Sequence, residues 1–148
     1  MRTVLQRVTQ GQVSVNGSVV AHIQKGLVVL LGIGPQDGEA DANELAEKLV
    51  NLRIFEDAEE KMNLSLMDVN GEVIVISQFT LYADTRHGRR PSFIQAAKPE
   101  QAKYLVDYFV ECLKSMGVPT QTGVFGEHMV VDIQNDGPVT IVLEHPSK

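Results

Sequence analysis

The chain has 148 residues, 43% of them hydrophobic and 22% charged, with a formal net charge of -6 at pH 7. That is the composition of one globular domain spanning 1–148, long enough to bury a core without disulfides or metal, and its acidic excess argues against coating nucleic acid through bulk charge. A single cysteine, Cys112, excludes an internal disulfide, and His22, His87, His128 and His145 lack any metal-ligand spacing, so no metal or cofactor is expected and a reducing, cytoplasmic setting is.

The longest apolar stretch, 27–33, falls far short of the roughly 20 residues that cross a bilayer, and Gln6, Arg7 and Gln10 interrupt the N-terminal segment before a signal core can form. Residues 4–23 alternate as short β pieces around Asn16-Gly17, which predicts a hairpin. The aliphatic run 27–34 then reads as a strand covered on both faces. From Asp41 the apolar spacing of Ala42, Leu45, Ala46, Leu49 and Leu52 predicts an amphipathic helix over 41–54, with Asp41 and Glu44 as its capping pair.

A second hairpin is expected around Asn70-Gly71, its second arm EVIVISQFTLY again too apolar for a strand facing water. Residues 83–92 form a polar loop in which Arg86, His87, Arg89 and Arg90 gather as a local positive island. Pro99 opens a second helix whose stripe of Ala102, Leu105, Val106, Phe109, Cys112, Leu113 and Met116 ends at Gly117. Two closing strands are expected, joined at Asn135-Asp136-Gly137-Pro138. The order predicts an α+β fold: a largely antiparallel, barrel-like β-sheet with two main helices packed outside and no run of βαβ crossovers.

Three features bear on chemistry. Ser77-Gln78-Phe79-Thr80 puts polar groups at the end of a buried strand, which fits either backbone hydrogen bonding where the sheet frays or a site, since sites gather at strand ends. Asn135-Asp136-Gly137-Pro138 reads as a turn, and its Gly-Pro bond permits a cis peptide far more readily than a non-proline bond. The arginine loop is either a solvated charged face or a clamp for the phosphates of a nucleic-acid substrate. Cys112, on the apolar stripe, is a structural residue rather than a nucleophile.

The segments Ser77-Gln78-Phe79-Thr80-Leu81-Tyr82 and Asn135-Asp136-Gly137-Pro138-Val139-Thr140 resemble the two signature motifs of the D-aminoacyl-tRNA deacylases. The similarity extends through Leu5-Gln6-Arg7-Val8, Leu52-Arg53-Ile54-Phe55, Arg90-Pro91-Ser92-Phe93 and Thr122-Gly123-Val124-Phe125-Gly126. It departs at Gly126-Glu127-His128-Met129, where the family pattern leads one to expect a smaller or less charged pair before the methionine.

The resemblance implies the fold of that family, a homodimer, and hydrolysis of the ester joining a D-amino acid, or glycine, to the acceptor end of tRNA, with no cofactor and no membrane partner. It assigns catalysis to Ser77, Gln78, Phe79 and Thr80, through main-chain donors around Phe79 and Thr80 and the tRNA's own 2′-hydroxyl. Gly137 and Pro138, with Asn135, Thr140, Arg7 and Met129, become a gate that acts across the dimer and rejects L-amino acids by collision. Arg86, Arg89 and Arg90 become contacts to tRNA. The alternatives are a non-catalytic tRNA- or DNA-binding module and a small-molecule esterase, the latter without a GxSxG elbow.

Overall fold

The computed structural model describes residues 1–146. Its strands are β1 (Arg2–Val15), β2 (Ser18–Ile23), β3 (Gly26–Gly32), β4 (Phe55–Glu56), β5 (Met62–Leu64), β6 (Glu72–Ser77), β7 (Thr120–Thr122) and β8 (Val130–Glu144). Its helices are α1 (Glu39–Asn51) and α2 (Pro99–Ser115), and a 3-10 turn covers Phe79–Tyr82. No helix among the described residues is long and apolar enough to cross a membrane.

The main sheet runs β2-β1-β3-β6-β7, with β8 on the other edge of β1, and it curls around a core on each face. Strand periodicity divides the side chains. Leu27, Val29 and Leu31 of β3 and Val73 and Val75 of β6 face the helices, where they meet Leu45, Leu49, Phe109 and Leu113. Val28, Ile74 and Ile76 point the opposite way into the curl, against Val8, Val13, Ala21 and Ile23. Both strands are therefore as apolar on both faces as their sequence predicts.

The Asn16-Gly17 hairpin forms, with φ of +50° and +79° at the two turn residues. Helix α1 starts two residues before the predicted position, because Asp41 does not precede the helix. Its carboxylate reaches back to the N–H of Gly38 at 2.8 Å, which places it in the first turn, where a negative charge is stabilised.

Two helices packed outside a barrel-like, largely antiparallel sheet are as expected, and three finer expectations need correction. The absence of βαβ crossovers does not hold, since β3 pairs with β6 and β6 with β7 in parallel, so α1 lies on the connection from β3 to β6 and α2 forms the crossover from β6 to β7. The Asn70-Gly71 hairpin does not form, because β5 pairs with β4 in a small separate sheet and Gly71 packs over the start of β3. Residues 135–138 do not join two strands either, since β8 is one strand of 15 residues running antiparallel along β1.

Candidate active site

Strand β6 ends at Ser77, and the N–H of Gln78 still donates to the Leu31 carbonyl at 2.8 Å, so the chain leaves the sheet from a fixed point. It then tightens into the 3-10 turn, closed by Leu81 N–H to the Gln78 carbonyl (3.2 Å) and Ala83 N–H to the Thr80 carbonyl (3.0 Å). The first N–H groups of such a turn have no partner inside it, and those of Phe79 and Thr80 find no backbone acceptor among the described residues. The turn is braced from behind: Arg2 donates to the Leu81 carbonyl at 3.1 Å and its guanidinium lies 4.5 Å from the centre of the Tyr82 ring. Burial, reinforced by the charge of Asp37, pushes the Tyr82 hydroxyl up to about 12, so that ring stays neutral.

Beside the turn lies a cavity of about 430 Å³ lined by Ser77, Phe79, Phe93, Phe125, Glu127 and Met129, together with the start of α2. Phe79 is 55% exposed and meets Phe93 edge to face, ring centres 5.0 Å apart. Gln78 lends its side-chain amide to the hydroxyl of Thr80. Neither Ser77 nor Thr80 has a histidine or carboxylate partner among the described residues. Cys112 sits in the core with its thiol pushed up by burial, and no group of three His, Cys, Asp or Glu able to hold a metal occurs among the described residues.

The second motif is built differently. Gln6 pairs with Thr140 and Val8 with Asn135, so residues 136–139 stand opposite Arg7 alone and are thrown out of the ladder. Arg7 is buried and fans over this excursion. Its Nε donates to the Asp136 carbonyl at 3.2 Å and lies 3.3 Å from that residue's Oδ2, while Nη1 donates to the Ile54 carbonyl at 2.8 Å and Nη2 reaches Glu56 at 3.5 Å. Asn135 closes the base, its amide donating to the carbonyls of Arg7 (2.9 Å) and Val139 (3.0 Å), and the Gln6 amide donates to the Thr140 hydroxyl at 3.2 Å. The Gly137-Pro138 bond is cis, with Gly137 at φ +124°, and both residues are exposed.

The predicted residues thus fall into separate clusters. Ser77, Phe79 and Met129 meet at the cavity, with Gln78 and Thr80 on the adjoining turn. Gly137 and Pro138 lie in the outward excursion, with Asn135 and Thr140 at its two ends and Arg7 beneath it, and none of the five lines the cavity of its own chain. Met129 belongs with the first group, its sulfur packed where a Cβ on Gly123 would stand. In the arginine loop, Arg86 is tied to Asp84 at 2.8 Å, which leaves Arg89 and Arg90 as the exposed cations without a salt-bridge partner among the described residues. Sequence reasoning did not pick out Phe93 and Phe125 as cavity walls, and Glu127 entered it only within the departure from the family pattern at Gly126-Glu127-His128-Met129. The glycines flanking Val124 and Phe125 were the available signal, because a glycine-bounded aromatic marks a turn that presents a ring.

Comparison with known proteins bears on this geometry. Residues 4–144 match the family model described as D-Tyr-tRNA(Tyr) deacylase. Proteins named D-aminoacyl-tRNA deacylase from Heliobacterium modesticaldum and Fervidobacterium nodosum are 58% and 56% identical, each over 97% of this chain and over 96% and 97% of their own lengths. A solved structure named c-Myc DNA Unwinding Element Binding Protein superposes with a TM-score of 0.94 at 41% identity, covering 99% of this chain and all of that one. Another, described as "a probable eukaryotic D-amino acid tRNA deacylase", shares the fold, with a TM-score of 0.83 at 19% identity over 96% of this chain and 97% of that one. With a family model matched over nearly its whole length and relatives above half identity, the chain belongs to the D-Tyr-tRNA(Tyr) deacylase family.

Proposed function

We propose that this hydrolase of the deacylase family cleaves the ester between a D-amino acid and the terminal ribose of tRNA, at the cavity beside Ser77 and Phe79. The enzyme works in the cytoplasm as a homodimer without metal or organic cofactor, and the Gly137-Pro138 excursion of one protomer completes the cavity of its partner. One observation carries the reading: the excursion is anchored from beneath by Arg7 and Asn135, faces solvent, and stands apart from its own chain's cavity. A rigid element with nothing to close at home is suited to close a neighbour's site. Strand β8 supports the pairing, because it is a long edge joined, among the described residues, only to β1 and exposes Val130 and Val142.

In this arrangement the scissile carbonyl lies against the N–H groups of Phe79 and Thr80, which stabilise the oxyanion as water attacks, while the terminal 2′-hydroxyl of the tRNA assists the water. The partner's excursion presents main chain where an L side chain would have to go. A D side chain points outward instead, and glycine has nothing to collide, so glycyl-tRNA is cleaved by the same geometry. Arg89 and Arg90 hold phosphates of the acceptor end.

The name of the 41% identical structure favours one other reading, a module that binds nucleic acid without cleaving it. Incubation of pure protein with D-Tyr-tRNA separates the two. Release of D-tyrosine supports the hydrolase; a stable complex with the ester intact supports the binder.

A further inference from the structure

We infer that Glu127 sets the amino-acid preference of the cavity, favouring aminoacyl groups that carry a cation and disfavouring those that carry a carboxylate. This rests on the deacylase reading above and goes beyond it by naming a residue that discriminates among D-amino acids.

The cavity walls are otherwise aromatic, aliphatic or neutral, and Glu127 is their one charged side chain among the described residues. Its place is fixed by a tight turn, in which the Glu127 N–H donates to the Val124 carbonyl at 3.2 Å and Gly126 adopts φ +80°. That turn carries Phe125 on one side of the glycine and Glu127 on the other; both line the cavity, and Glu127 is exposed. It has no hydrogen-bond or salt-bridge partner among the described residues. The nearby cation of α2, Lys103, lines the adjoining cavity and is taken by Asp107 at 2.9 Å.

An unneutralised carboxylate at the mouth of an apolar cavity acts on whatever charge passes it. A side chain that extends outward from an ester seated beside Ser77 and Phe79 leaves over this edge. At about 7 Å in a largely aqueous surround, one unit charge changes the rate by about 2- to 3-fold, in opposite directions for a cation and an anion, so the ratio between them moves by about 4- to 9-fold. Neutral side chains escape the effect.

The test acylates one tRNA with D-lysine, D-aspartate or D-tyrosine and measures kcat/KM for the native protein, Glu127→Gln and Glu127→Lys at low and high salt. Reading the ratio of D-lysyl to D-aspartyl ester cancels any loss common to both. The ratio falls by about 4- to 9-fold in Glu127→Gln, falls further in Glu127→Lys, and shrinks in the native protein as salt rises. The same ratio in all three proteins at low salt overturns the inference. If the native protein cleaves all three esters while the ratio stays fixed, only the role of Glu127 is lost; if it cleaves none, the deacylase reading fails and takes this inference with it.

Discussion

The Nε of Arg7 lies 3.2 Å from the carbonyl oxygen of Asp136 and 3.3 Å from its Oδ2, so one buried guanidinium holds both the backbone and the side chain at the root of the Gly137-Pro138 excursion. With Nη1 on the Ile54 carbonyl, the same group ties β1, the segment after α1, and β8 together. Replacement by methionine keeps the stem but leaves buried carbonyls unpaired. Arg7→Met is expected to cost about 2–4 kcal/mol by urea unfolding and to reduce turnover beyond the loss of folded protein. Arg7→Lys recovers only part, because an ammonium cannot span the fork. Native-like stability in Arg7→Met would mean that the excursion is held by the strand ladder alone.

Thr80 offers a separation of side chain from main chain. Thr80→Val removes the hydroxyl that receives the Gln78 amide and leaves the N–H in place; turnover is expected to stay within about 10-fold of native. Thr80→Pro removes the N–H, and turnover is expected to fall by at least about 100-fold, the size of effect seen when one oxyanion donor is lost. Circular dichroism of both variants checks the fold. The opposite ranking would make the hydroxyl a nucleophile.

In the arginine loop, the hydrogen bonds and charge of Arg86 hold the Asp84 carboxyl down to about 2, against an ordinary 3.8. A depressed folded pKa means that the pair's contribution is complete above the ordinary value and is lost as pH falls through about 2. A carbon-13 titration is expected to show Asp84 ionised at pH 3, and Arg86→Ala to return it toward the ordinary range. Because Asp84 already occupies Arg86, removing Arg89 and Arg90 together is expected to weaken tRNA binding more than Arg86→Ala does. The double substitution lowers the slope of log affinity against log salt by roughly 1.5. An unchanged slope would remove the loop from the interface.

A site shared between protomers predicts complementation. Thr80→Pro disables the cavity arm, and Gly137→Val disables the excursion arm, since a Cβ at φ +124° would sit 2.8 Å from a Val139 methyl and 3.1 Å from its backbone nitrogen. After random exchange, half of the dimers are mixed and each carries one intact site, so the mixture recovers about a quarter of native activity. A mixture as inactive as its parents would place both arms within one chain.

What the sequence reveals and what it conceals divides along the reach of each signal. The apolar run of β3, the Asn16-Gly17 turn and the stripe of α2 are local patterns, and each appears where it was expected. The parallel pairing of β3 with β6 is not local, and an aliphatic strand looks the same whether its neighbour runs with it or against it. Asn135, Asp136, Gly137 and Pro138 carry the chemistry of a hairpin turn; only the continued pairing of β8 with β1 on either side of Arg7 converts that turn into a bulge. The polar break after Ile76 marks where the chain leaves β6 for the turn beside the cavity. Its walls, Phe93, Phe125 and Glu127, come from segments that meet only in three dimensions.

The central claim is that a D-aminoacyl ester is cleaved while its mirror image is spared. It is tested most directly by initial rates of hydrolysis of D-Tyr-tRNA and L-Tyr-tRNA, matched in tRNA and concentration, with glycyl-tRNA alongside. Rapid loss of the D ester, measurable loss of the glycyl ester and an L ester that decays no faster than in buffer is the predicted result. Equal rates for the two tyrosyl esters, or no rate for either, would contradict it.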